Sequence, residues 1–206
     1  MKHALAALFC AAALAACAAD PVPPATAPTT LTTPPALQDD GYAELVIRAD
    51  FPGTPAEVRA FLDEDNKLLY AMPDTERIAR PVSYDLTKGE QWMATGSERV
   101  MKFSDDHYAF ERVIGYAPEN FSYQVWGFTG ANAANVDHIF GEQRLAPDPD
   151  GDGTDFIWTY RVMPTAGWKK PFVQRFVDSD VRELLQTATD RVAAQARKEM
   201  APEMTP

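Results

Sequence analysis

Cysteine is nearly missing from this sequence: of 206 residues only Cys10 and Cys17 carry thiols, and both fall inside the first seventeen. The rest of the chain can build no disulfide framework, cysteine-ligated zinc site or cysteine nucleophile. Long apolar runs are missing too. The apolar run from Ala4 to Ala16, before Cys17, has thirteen residues, against the roughly 20 that a helix needs to cross a bilayer. Positive charge is in deficit, with 19 Lys and Arg against 30 Asp and Glu and a net charge of -11. An acidic surface of that kind repels nucleic acid and anionic lipid head groups. There is no glycine-rich phosphate loop, zinc-ligand spacing, nucleophile elbow or ordered Ser/His/Asp set, so no metal and no cofactor is expected.

What is present begins with an address. "MKHALAALFCAAALAAC" has a basic start, a short apolar stretch and small residues before a cysteine, the layout of a signal peptide. Leu14-Ala15-Ala16-Cys17 resembles the bacterial lipobox. That resemblance implies cleavage after residue 16, lipidation of Cys17 and a membrane anchor through the lipid. An ordinary secretory signal with an incidental Cys17 is the competing reading. Ala18 rather than Asp after the cysteine looks like an outer-membrane address facing the periplasm. Residues 18–41 contain six prolines and five threonines without a periodic apolar face, which predicts that 17–41 is a disordered tether holding the domain clear of the bilayer.

Folded structure is expected over 42–199, with 200–206 a disordered tail. "YAELVIRADF" reads as a first strand. Thr54, Pro55 and Glu57 then provide an N-cap, a first-turn proline and the third-position acid of a capping box, predicting a helix with Val58, Phe61 and Leu62 on one face. A second short helix is expected over 66–72. Six strand-like runs separated by turn residues follow between Glu76 and Met163, the pattern of an antiparallel meander. From Pro171 the period lengthens: Phe172, Phe176, Val177, Val181, Leu184, Leu185, Ala188 and Val192 recur at three- and four-residue steps. This predicts a long amphipathic helix to Lys198, with a break possible at Asp178-Ser179-Asp180.

"DPDGDGTD", residues 148–155, has the alternating aspartates of a calcium loop. The twelfth position from Asp148 is Thr159, where an EF-hand needs a bidentate acid, and strands rather than helices flank the loop. A hairpin turn is expected, its Asp-Gly and Gly-Asp pairs supplying positive-φ positions. A weak surface calcium site is the alternative.

One strand, two short helices, six strands and a long helix is the order of the helix-grip fold, an α+β architecture with a seven-stranded antiparallel sheet curved around the C-terminal helix. "ADFPGTPAEVRAFLDED", "YAFERVIGYAPENFSYQV" and "GEQRLAPDPDGDGTDFIWTYRVMPT" resemble the polyketide cyclase/dehydrase and lipid transport superfamily (SRPBCC), which includes START-type lipid-transfer domains, birch-pollen-allergen-like proteins and bacterial aromatase/cyclases. The resemblance covers about residues 42–198. Relatives often read Gly-x-Trp-x-Leu before the last turn, whereas this chain has Gly141, Gln143 and Leu145, so the cavity is expected to carry one polar group there.

The resemblance implies a cavity between sheet and helix. Strand alternation places Phe156, Trp158 and Tyr160 on one side of the last strand and Tyr123 on the matching side of the central one. With Phe172 and Phe176 from the helix they are the candidate lining of a pocket for a lipid, isoprenoid or polyketide-like molecule, against the plainer reading that they are core. Arg112, His138 and Gln143 are the polar cavity candidates. His107 is expected to be exposed at a hairpin tip. Three functional classes follow: a lipid-anchored binding module, a cyclase or dehydrase-like enzyme, and an envelope interaction protein whose cavity is filled.

Overall fold

A computed structural model of the chain describes residues 21–29, 32–151 and 153–200. Cys17 and the apolar leader lie outside the described residues. β1 (Ala43–Pro52) leads into α1 (Pro55–Asp63), a 3-10 turn and α2 (Lys67–Ala71), followed by β2 (Pro81–Lys88), β3 (Glu98–Phe103), β4 (Tyr108–Ala117), β5 (Asn120–Trp126), β6 (Val136–Pro147) and β7 (Gly153–Pro164). A last helical stretch runs through α3 (Lys170–Phe176) and α4 (Arg182–Glu199), joined by a π-helical turn at Val177–Val181. The chain does not break at Asp178-Ser179-Asp180; one wide turn absorbs an extra residue there, as π-bulges do.

The seven strands form one antiparallel sheet in the order β1-β7-β6-β5-β4-β3-β2. Local chemistry sets the elements as expected. Thr54 caps α1 in a complete capping box with Glu57, and Pro55 occupies its first turn. The stretch around 148–153 is the β6–β7 hairpin turn, although Gly151 does not take the positive φ expected of its Asp-Gly pair; the turn is held by Asp148 N–H donating to Gly153 O at 3.0 Å and Asp150 N–H donating to the Asp148 carboxylate at 2.9 Å.

Strand register sorts side chains into rows. One inward row runs Arg99, Glu111, Val125, Ile139, Val162, Ala43; the next contains Tyr123, Gly141, Tyr160 and Leu45; a third Phe121, Gln143, Trp158 and Ile47. Val181, Leu184, Leu185, Ala188 and Val192 close over this face and are buried with it. On the outer face, Val100, Phe110, Trp126 and His138 form a row of their own, also buried.

The cover of that outer row is the proline-rich N-terminal segment. Trp126 Nε1 donates to Thr32 O at 3.0 Å, Gln124 Nε2 donates to Pro35 O at 2.8 Å, and Ala27 packs on the cluster of Val100, Tyr108, Phe110 and Trp126. The described part of 17–41 is thus a strap laid across the sheet and not the free tether expected from its composition. Proline suits the role, since it needs no N–H partner and holds an extended backbone whose carbonyls accept from β5.

Candidate functional site

Between the inner sheet face and the C-terminal helix lies a cavity of about 450 Å³. Its walls are mostly apolar: Met101, Val125, Phe128, Ile139, Val162 and Leu184 among them. The size falls within the range of small-molecule sites. The rim is built by the residues before β2, the β3–β4 turn, the β5–β6 loop, Phe176 of α3, and Pro21 and Pro23 of the strap.

Polar groups gather on one wall. Arg99 Nε donates to Glu111 Oε2 at 2.6 Å, and both side chains are about 95% removed from solvent (4% and 5% exposed). The guanidinium is held between aromatic faces, its Cζ 3.7 Å from the Trp92 ring centroid and 4.6 Å from that of Tyr84, while Nη1 donates to Asn66 Oδ1 at 3.2 Å. Burial pushes the Glu111 carboxyl above the usual carboxylate range, against the opposing pull of Arg99. Glu111 lines the cavity, and so do the inward Tyr123 and Tyr160 of the neighbouring row. Burial raises both phenols, with Glu111 adding to the effect, so each presents an intact O–H.

Tyr123 is fixed from two sides. Trp158 Nε1 donates to its Oη at 3.0 Å, and its ring lies across Gly141, where an added Cβ would stand 2.2 Å from Cζ. The glycine in the middle of β6 is there because the tyrosine ring occupies the space of a side chain.

The sequence-derived candidates divide. Tyr123, Tyr160 and Phe176 line the cavity. Trp158 and Gln143 face inward but border a side cavity of about 60 Å³ beneath α1, and Gln143 Oε1 is taken by Arg59 Nη1 at 3.0 Å. Gln143 therefore does not offer its amide to the main cavity. Phe156 is wholly buried core, edge-on to Phe51 and Trp158. Phe172 points to solvent, 66% exposed, because the buried positions of α3 and the turn after it are Val173 and Val177.

Arg112 and His138 are on the outer face. Arg112 alternates with Glu111 and pairs with Gln124, and His138 lies in the strap-covered row, with Nε2 2.9 Å from Tyr42 Oη and Nδ1 2.7 Å from Asp137. Neither reaches the cavity. His107 is not an exposed tip residue; it is buried at the rim, Nδ1 3.0 Å from Thr129 Oγ1. Glu111 and Arg99 are the residues that sequence reasoning missed as a pair.

The rim is pinned at one point. Arg77 Nε donates to Asp180 Oδ2 at 2.9 Å, its backbone N–H donates to Oδ1 at 3.1 Å, and its Cζ sits 5.3 Å from the Phe176 ring centroid. The π-turn lets Asp180 be buried within the helical stretch to make this contact.

No family model and no curated protein sequence matches the chain. Solved structures do. The fold is a Bet v1-like helix grip. The chain is similar to Ara h 8.0201 (13% identity, TM-score 0.53, 74% of this chain and 99% of that one) and to the major latex-like protein 151 of Panax ginseng (14%, 0.53, 76% and 99%). A protein of Nitrosospira multiformis gives 13% identity, a TM-score of 0.51, and 75% and 99% coverage. At these identities the likeness establishes the fold, and the site must speak for its own chemistry.

Proposed function

We propose that this protein is a membrane-anchored carrier or receptor for one amphipathic small molecule, held between the sheet and the C-terminal helix. The observation that carries this reading is the pairing of an apolar cavity of about 450 Å³ with a polar wall of the buried Glu111 and Tyr123 and the half-buried Tyr160. A space of that size lined by aliphatic and aromatic groups favours a hydrocarbon body such as a lipid, isoprenoid or polyketide-like skeleton. The polar wall selects an end that can both donate to a carboxyl or carboxylate and accept from phenol O–H groups, as a hydroxyl does. The filled-cavity interaction protein fits this interior poorly, because side chains leave the space open.

Anchoring through lipid on Cys17, at an outer membrane and facing the periplasm, completes the proposal and rests on Leu14-Ala15-Ala16-Cys17 and Ala18. Changing Cys17 to Ser should abolish palmitate labelling and shift the protein out of the membrane fraction; unchanged labelling overturns the anchor. Loading is tested on the full chain purified from membranes. Solvent extraction and mass spectrometry should recover one apolar compound bearing a hydroxyl, and Tyr160→Phe should reduce its occupancy.

A second reading, a cyclase or dehydrase-like enzyme, is favoured by one observation: a carboxyl whose proton affinity is raised by burial faces the same cavity as two phenols. Such a group can shuttle a proton to or from a bound ligand. Conversion of a supplied polyketide precursor, lost in Glu111→Gln, would move the protein into that class.

A further inference from the structure

Two large apolar side chains stand out in solvent on the stretch that leads into the cavity rim. Trp168 is 72% exposed and Phe172 66% exposed. They come from the 3-10 turn Gly167–Lys169 and from α3, four residues apart, while Val173 and Val177 turn inward. Around them the charge is inverted relative to the molecule. Lys169, Lys170 and Arg175 all fall within residues 167–176, a stretch with no acid, in a chain of net charge -11. Lys169 Nζ sits 5.6 Å from the Trp168 ring centroid and donates to Thr165 Oγ1 at 2.9 Å. Two acids border the stretch and each is paired with a cation outside it: Glu44, whose backbone bonds Gln174, with Arg161, and Asp178, which accepts from Gln174, with Arg182.

We infer that residues 168–175 form a docking patch for an anionic membrane surface, which turns the cavity mouth toward the bilayer. A tryptophan and a phenylalanine beside three cations is the composition that settles at the interface between acyl chains and head groups, the rings entering and the cations meeting phosphate. The patch is continuous with the mouth. Phe176, at the end of the same helix, lines the cavity. Thr165 N–H, just before the patch, donates to Asn135 O of the β5–β6 loop, and that loop supplies Gly130 to Ala133 to the rim. The strap adds a geometric constraint. Pro21 is at the rim, and Cys17 is four residues before it, a reach of at most about 14 Å. A lipid on Cys17, as proposed above, would hold the mouth beside the membrane rather than let the domain float. The cationic patch also reverses locally the repulsion from anionic head groups that the net charge implies.

The inference is independent of what fills the cavity and is read by Trp168 itself. The other three tryptophans, Trp92, Trp126 and Trp158, are buried, so quenching by brominated lipid reports Trp168 even if the leader or a Cys17 lipid holds the chain on the vesicle. With the full chain and phosphatidylcholine vesicles containing phosphatidylglycerol, Trp168 emission should shift to the blue and be quenched by brominated acyl chains. Both signals should disappear in high salt, on phosphatidylcholine alone and in Trp168→Phe. Lys169→Glu with Lys170→Glu and Arg175→Glu should weaken docking by on the order of a hundredfold or more, from roughly fivefold per cation removed near the surface. These residues are exposed or half-buried, so the fold should survive, which an unchanged circular dichroism spectrum checks. Vesicle-bound protein whose Trp168 is not quenched, or a triple variant quenched as strongly as the parent, overturns the inference. Quenching absent in vesicles but a blue shift on adding a second protein would assign the patch to a protein partner instead.

Discussion

Arg99 and Glu111 face each other across adjacent strands, in register, and form a buried ion pair whose guanidinium is held between the rings of Trp92 and Tyr84. Desolvation and pairing pull the carboxyl in opposite directions, and desolvation is the larger effect. Because the folded proton affinity is raised above the ordinary value of 4.5, the native state binds this proton more tightly than the unfolded chain does. Its contribution to stability is then full below that value and is lost as pH rises through the elevated folded one. Glu111→Gln removes this term. The difference in Tm between Glu111→Gln and the parent should grow as pH rises from acid toward neutral. A difference that shrinks instead would mean that Arg99 holds the carboxylate below its ordinary range.

Tyr123→Phe separates a structural role from a ligand role. The phenol accepts from Trp158 Nε1 in the buried core, so removing it leaves an indole N–H without a partner. That omission costs about 1–3 kcal/mol. Denaturant unfolding of the ligand-free protein should show the loss, whereas Tyr160→Phe, whose hydroxyl has no such partner among the described residues, should leave stability nearly unchanged and lower ligand occupancy. Equal stability of Tyr123→Phe and the parent would contradict the Trp158 contact.

The strap makes a third expectation. A chain begun at Asp40 would lose the acceptors of Trp126 and Gln124 and uncover Val100, Phe110 and Trp126. Two hydrogen bonds at about 1 kcal/mol each, together with the lost apolar cover, should lower Tm, red-shift Trp126 emission and raise binding of an apolar dye. A truncated chain with unaltered Trp126 emission would show that the strap does not sit on β5.

That same strap explains where sequence reading failed. β1 and β7 alternate cleanly, so Trp158 and Tyr160 could be assigned to the inner face from sequence alone, and the capping box at Thr54 marked the first helix. In β4 the alternation carries little information. Tyr108 and Phe110 face outward and Ala109 and Val113 inward, yet all four are buried, because the strap supplies a second apolar environment outside the sheet. With both faces apolar, alternation does not tell the charged residues at 111 and 112 apart: the candidate Arg112 faces outward and Glu111 inward. A signal existed: Glu111 is in phase with Ala109 and Val113, but its partner Arg99 is twelve residues away on another strand. His138 failed for the same reason, and a charged or polar residue in a strand ordinarily faces water. Phe172 fits the helical period to within one residue, but the positions of α3 and the turn after it that face the sheet are Val173 and Val177, which leaves Phe172 in solvent.

Native mass spectrometry of the full chain purified from membranes, followed by solvent extraction, tests the binding cavity most directly. The expected result is a one-to-one complex with a hydroxyl-bearing apolar molecule, with occupancy reduced in Tyr160→Phe and in Phe176→Ala by a factor corresponding to about 1–3 kcal/mol. A chain that is empty as isolated and takes up no lipid, isoprenoid or polyketide-like compound on titration would contradict it.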